Sequence, residues 1–142
     1  MLNGSRKIGS IVKENMAKRA KILVADDQFH MRKIMGIILG DEYDLIFAEN
    51  GVEALEKIRT QEVDLVVTDF RMPYMNGLEL IRAIQQEKPK LSFILISAYW
   101  NDLLREPAHV GTVHVVQKPF QVAAVVRIVR KLLAQKESIT PV

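Results

Sequence analysis

Residues 64–80 read DLVVTDFRMPYMNGLEL. Leu65, Val66 and Val67 are apolar on consecutive positions, so the strand expected over 64–68 (DLVVT) has no polar face to offer water. Such a strand needs cover on both sides. It stops at Asp69, a charge placed where the chain leaves the sheet. A loop over 70–76 (FRMPYMN) follows, then a helix over 77–87 (GLELIRAIQQE) that Pro89 ends. Strand, loop and covering helix form half of a β–α–β crossover, and that unit sets the reading of what lies on either side.

Toward the amino terminus, 51–61 (GVEALEKIRTQ) reads as a helix and 43–48 (YDLIFA) as a strand. Before them, 29–39 (FHMRKIMGIIL) reads as a helix and 21–25 (KILVA) as a strand running into Asp26 and Asp27. Toward the carboxyl terminus, 91–97 (LSFILIS) and 113–117 (VHVVQ) read as strands. Between them Pro107 interrupts a fourth helix over 100–109, expected to be short, distorted or replaced by a loop. A long helix over 120–135 (FQVAAVVRIVRKLLAQ) closes the series. Five strands and about five helices alternate, which gives an α/β, doubly wound five-stranded parallel sheet with right-handed crossovers. In such a sheet, residues at the carboxyl ends of the strands meet along one edge. Asp26, Asp27, Asp69, Ser97 and Lys118 all stand at strand ends.

The 142 residues suit one domain. There is no cysteine, which excludes disulfides, thiol nucleophiles and cysteine-held zinc or iron–sulfur centres. The three histidines (His30, His109, His114) lack ligand-like spacing, which speaks against a zinc enzyme, and His114 reads as a surface or packing residue. No stretch approaches the roughly 20 apolar residues of a membrane span, and the basic leader has no apolar core of a signal peptide. A cytoplasmic location is the expectation. The net charge is +3, but residues 1–20 alone carry Arg6, Lys7, Lys13, Lys18 and Arg19 against Glu14. The body is therefore slightly acidic, and direct nucleic-acid binding loses its electrostatic basis. The chain divides into a basic extension (1–20), a globular domain (21–136) and a tail (137–142). Ile8, Ile11 and Val12 fall at helical spacing, so the extension reads either as a short amphipathic helix or as a mobile segment.

Two adjacent carboxylates facing a third repel one another. At an effective dielectric of about 20, unit charges about 4 Å apart cost roughly 4 kcal/mol. A hard divalent cation suits this cluster, and Mg2+ takes one or two carboxylates together with phosphate oxygens. Lys118 adds an ammonium and Ser97 a hydroxyl donor. The group is suited to accepting a phosphoryl group on one carboxylate. Singly, each residue has a plainer reading: Asp26–Asp27 as helix N-cap pair, Asp69 as a turn acid, Ser97 as a strand-end hydroxyl, Lys118 as a solvated lysine. Their conjunction at strand ends carries the argument. The Lys118–Pro119 bond is of the kind that adopts cis at modest cost.

The set DD (26–27), DLVVTDFRMPYMNGLEL (64–80), LISA (95–98) and QKPF (117–120) resembles the receiver domain of bacterial two-component response regulators, over about residues 21–136. The resemblance implies a flavodoxin-like strand order 2-1-3-4-5 and Asp69 as the phosphoacceptor. Mg2+, with Mn2+ able to substitute, would be held by Asp26, Asp27, Asp69 and the backbone carbonyl of Arg71, with Asp27 binding directly and Asp26 more through water. Ser97 and Lys118 would bind the phosphoryl group. Met72, Pro73 and Gly77 would shape the loop after Asp69. The donor would be a phosphohistidine on a sensor histidine kinase or a histidine phosphotransfer protein. The expected role is a signalling switch that catalyses its own phosphorylation and dephosphorylation, and not a turnover enzyme. With the chain closing at Val142, the reading is a single-domain response regulator. A phosphorylation-independent scaffold on the same fold is the second reading. An aspartyl phosphatase would want an acid where Arg71 stands, and a flavin carrier a Ser/Thr-rich loop where DDQFH stands.

The sequence departs from the family pattern at three places. Val115 stands where an inward-swinging aromatic is usual, Ser97 and Lys118 are 21 positions apart, about one fewer than expected, and Pro107 breaks the fourth helix. Arg71 and Tyr99 flank the acceptor and are expected to crowd the attacking water and slow loss of the phosphoryl group. Tyr99 and Trp100 either cap the crevice or pack on the sheet edge. In helix 120–135, Val122, Val125, Val126, Val129, Leu132 and Leu133 suffice for a core stripe, leaving Ala123, Ala124 and Ile128 over. That surplus reads either as broad burial or as a contact face for a partner or a second copy, a homodimer.

Overall fold

Strands that are apolar on consecutive positions must be sandwiched, and the computed structural model shows how; it describes residues 19–98 and 113–139. The elements are β1 (Lys21–Ala25), α1 (Phe29–Leu39), β2 (Asp44–Ala48), α2 (Gly51–Thr60), β3 (Leu65–Asp69), α3 (Gly77–Glu87), β4 (Ser92–Ser97), β5 (Val113–Gln117) and α4 (Val122–Ile139). The five strands form one parallel sheet in the order β2-β1-β3-β4-β5. The doubly wound class and the strand order both agree with expectation.

Alternation along each strand splits the core in two. Leu23, Ala25, Val66, Phe93 and Leu95 face α2 and α3, where Ala54, Leu55, Ile58, Leu80, Ile81 and Ile84 meet them. Ile22, Val24, Leu65, Val67, Ile94 and Ile96 face α1 and α4, against Met35, Leu39, Val125, Val129, Leu132 and Leu133. Fully burying one such aliphatic side chain contributes about 1.5–3 kcal/mol, which is why the middles of β1 to β4 are apolar. Buried Thr68 places its hydroxyl on the Asp69 carbonyl at 2.9 Å, and His114 in β5 is half-buried. Val115 is half-buried and packs on the first of these clusters. Of the surplus on α4, Ile128 packs on the second cluster while Ala123 is exposed. In the expected core stripe Val126 packs there too, but Val122, at the start of the helix, is 47% exposed and takes no part in the core.

The described residues hold four helices where about five were expected. The interrupted helix over 100–109, with Tyr99, Trp100, Pro107 and His109, lies outside the described residues, as does leader 1–18. Most boundaries move by a residue or two, and the end of the last helix by four. Asp69 is the last residue of β3 and not the first beyond it. The final helix starts at Val122, because the Gln121 carbonyl accepts the amides of Ala124 and Val125, and it continues to Ile139. Gln135, Lys136 and Glu137 are good helix formers, so the expected tail begins as helix. Arg19 and Ala20, grouped with the leader by charge, are tied to the domain. The Arg19 guanidinium donates to the carbonyls of Gly40 (2.9 Å) and Tyr43 (3.1 Å), and Ala20's carbonyl accepts the Asp44 amide at 3.0 Å.

Candidate functional site at the strand carboxyl ends

β1 delivers the first acids. The Asp26 amide donates to the Ala48 carbonyl of β2 at 3.0 Å, which extends the ladder one residue past β1. Asp26 is 7% exposed, and its Oδ1 accepts the Gln28 amide at 2.9 Å, turning the chain into α1. The N-cap of α1 is Gln28, which makes no side-chain cap bond, so neither acid is spent as the N-cap. Asp27 is exposed and lines the cleft.

β3 delivers Asp69. The Phe70 amide donates to the Ile96 carbonyl of β4 (2.9 Å), and the Gly77 amide to the Phe70 carbonyl (2.7 Å). The backbone of α3 thus begins pressed against Asp69. A Cβ at Gly77 would overlap the Asp69 carbonyl oxygen and lie 2.8 Å from Leu95 Cδ1, so the motif needs glycine there. Asn76 caps α3 through a reciprocal pair with Glu79. Tyr74 sits at φ 71° between Pro73 and Met75, whose carbonyl and amide bond at 2.8 Å, a γ-turn that shortens the loop.

β4 ends in Ser97, 1% exposed, and the Ser97 carbonyl accepts the Lys118 amide at 2.8 Å. The Lys118–Pro119 bond is cis. Lys118 Nζ stands 2.8 Å from Asp69 Oδ1.

All five strand-end residues therefore gather at one edge. An open cleft of about 210 Å³ is lined by Asp27, Gln28, Asp69, Phe70, Arg71, Ser97, Ala98 and Lys118. One carboxylate oxygen from each of Asp26, Asp27 and Asp69 lies within 4.8 Å of the others. Burial pushes the Asp26 carboxyl above the ordinary aspartate range, aided by the charges of Asp69 and Asp27 and opposed by the Gln28 amide and Lys118. Burial also raises Asp69, even though Lys118 donates to it; the Asp27 charge adds and the Phe70 amide opposes. One lysine thus does not offset the burial and crowding of these carboxyls. Hard oxygen donors short of positive charge fit a divalent cation.

Two features escaped the sequence reading. Gln28 serves through its backbone amide, which no side-chain pattern signals. Arg32 reaches from α1 to the Asp26 carbonyl oxygen with Nη1 at 2.7 Å. A helical arginine reads by default as a solvent-facing charge, and only the fold brings it to this turn.

The family model of the response regulator receiver domain matches residues 22–130. The chain is 29% identical over 120 residues to the sporulation initiation phosphotransferase F of Bacillus subtilis (strain 168), covering 83% of this chain and 97% of that one. It is 36% identical over 83 residues to the transcriptional regulatory protein GlrR of Escherichia coli (strain K12), covering 58% of this chain but only 19% of the longer relative. Among solved structures, the response regulator protein TrrA of Thermotoga maritima, in complex with Mg(2+)-BeF, superposes with a TM-score of 0.74 at 34% identity, covering 80% of this chain and 99% of that one.

Proposed function

Because this chain belongs to the response regulator receiver domain family, we propose that it accepts a phosphoryl group on Asp69 from the phosphohistidine of a sensor histidine kinase or a histidine phosphotransfer protein, and changes its partner binding in consequence. The observation that carries this reading is the convergence of three carboxylates with Lys118 Nζ, 2.8 Å from Asp69 Oδ1, at the strand ends.

Asp69 is the nucleophile. Its carboxylate oxygen attacks phosphorus in line, the O–P bond forms as the N–P bond breaks, and the imidazole nitrogen leaves with the electron pair. Asp26, Asp27, Asp69 and the Arg71 backbone carbonyl would hold Mg2+, or Mn2+ in its place, with Asp26 acting more through water. A bound cation would neutralise the equatorial oxygens of the transferring group. Lys118 moves its ammonium from the Asp69 carboxylate to a phosphoryl oxygen, and the Ser97 hydroxyl donates to another. Attack of water on the same phosphorus breaks the Asp69 O–P bond, releases inorganic phosphate and returns the carboxylate, so the chain resets itself and is not a turnover enzyme. A hundredfold change in the ratio of two states needs about 2.7 kcal/mol of differential interaction. One or two charge-assisted hydrogen bonds from Ser97 and Lys118 are of that size.

No helix among the described residues is long and apolar enough to cross a membrane. A homodimer through α4 draws only on exposed residues such as Val122, since Val126 and Ile128 pack inward.

Beryllofluoride with Mg2+ tests the reading, monitored through the sole tryptophan, Trp100. Saturable, Mg2+-dependent change that vanishes in Asp69→Asn supports it. An unchanged signal together with unchanged amide shifts around Asp69 makes the chain a phosphorylation-independent scaffold on a receiver fold.

A further inference from the structure

Arg32 stands on the first helical turns of α1, yet its side chain is only 13% exposed. Its guanidinium is held on three sides. Nη1 donates to the Asp26 carbonyl at 2.7 Å, Nη2 stands 3.3 Å from Glu49 Oε1, and the group lies over the Phe29 ring, 5.7 Å from its centroid. Glu49 follows β2 directly, and its amide donates to Glu53 Oε2 at 3.3 Å. Arg32 thereby ties the end of β1 to the end of β2 through the turn that carries Asp26 and Asp27. The Asp26 residue is then held at every polar atom group: amide on Ala48, side chain on the Gln28 amide, carbonyl on Arg32.

We infer that Arg32 is a positioning residue for the divalent-cation site, fixing the β1–α1 turn so that the Asp26 and Asp27 carboxylates converge on Asp69. The inference rests on the cation-binding reading of that triad. Its sign makes it testable, because Arg32 is itself a cation near three carboxylates. If its effect were Coulombic, removing it would tighten Mg2+ binding. If it holds geometry, removing it loosens binding.

The test is titration of the full chain with Mg2+ alone, followed by the amide shifts of Gln28 and Phe70, with thermal midpoints measured alongside. Arg32→Met is expected to bind Mg2+ about tenfold more weakly, the usual range for losing a group that orients a ligand. Arg32→Lys keeps the charge but loses the two-pronged donor, and recovers only part of the affinity. Glu49→Gln, at an exposed partner, shifts affinity in the same direction by less. Unchanged or tighter binding in Arg32→Met, with the fold retained, overturns the inference. Should Arg32→Met not fold, Arg32→Lys and Glu49→Gln decide: affinities equal to wild type overturn it. A wild-type chain that fails to bind Mg2+ overturns the reading of the triad itself, and the inference with it.

Discussion

Two junctions on the same edge of the sheet hand a strand over to a helix, and they are built in opposite ways. At β3–α3, Asn76 and Glu79 exchange reciprocal bonds (2.8 and 3.1 Å), and the glycine that follows lets the helix press on the strand end. The β2–α2 junction repeats the plan, with Asn50 accepting the Glu53 amide at 2.8 Å. At β1–α1 two acids are available as caps, yet the N-cap is Gln28 with no side-chain bond. Asp26 is buried beside Asp69 at a cost visible in its raised pKa, and a long-range arginine does the holding. Where the chain only needs a helix to start, it uses the local residue that caps best. At the proposed cation site, the helix start is left uncapped and the turn is supported from afar.

The contrast can be broken in steps. The largest effect is expected at Gly77→Ala, where the new methyl overlaps the Asp69 backbone; the loss should exceed about 3 kcal/mol, read by urea denaturation. Wild-type stability in that variant would mean that α3 is not seated on the strand end. Asn76→Ala removes the side-chain half of the capping box, leaving the backbone amide of position 76 on Glu79, and should cost about 1 kcal/mol, with phosphoryl acceptance retained. Conversely, Gln28→Ser supplies the missing cap and should gain about 0.5–1 kcal/mol in the same assay. A loss there would show that the uncapped start is not a sacrifice.

The smallest effect is a slope. Asp26 and Asp69 have folded-state pKa values raised by burial. Their protonation therefore favours the folded state, a contribution complete below the ordinary aspartate value and lost as pH rises through the raised one. With EDTA present, the thermal midpoint should climb as pH falls from neutrality toward the ordinary carboxylate range. Below that range, Glu53 and Glu87, whose pKa values ion pairing lowers, reverse the trend. Asp26→Asn should flatten the climb; a climb of unchanged steepness would assign it to other groups.

Much of this molecule is legible in its residues. Leu65–Val66–Val67 reads as a sandwiched strand, and once five strands alternate with helices, the topology brings Asp26, Asp27, Asp69, Ser97 and Lys118 together although up to 92 positions separate them. Local signals also place Pro89 beyond α3. What is not legible depends on contacts between distant segments or on backbone groups. Arg32 looks like any helical arginine until β2 brings Glu49 beside it. The Gln28 amide leaves no trace in side-chain chemistry. The apolar period stops at Gln135 and no breaker directly follows it, so the period does not mark how far α4 runs, and the helix continues to Ile139.

The claim on which the rest depends is that Asp69 takes up a phosphoryl group with help from a divalent cation. Incubation of the chain with acetyl phosphate and Mg2+, followed by intact-mass and peptide measurement, tests it most directly. The account predicts one added phosphoryl group on the peptide containing Asp69, lost when EDTA replaces Mg2+ and absent in Asp69→Asn. An unaltered mass in the wild-type chain, or a phosphoryl group carried elsewhere, would contradict it.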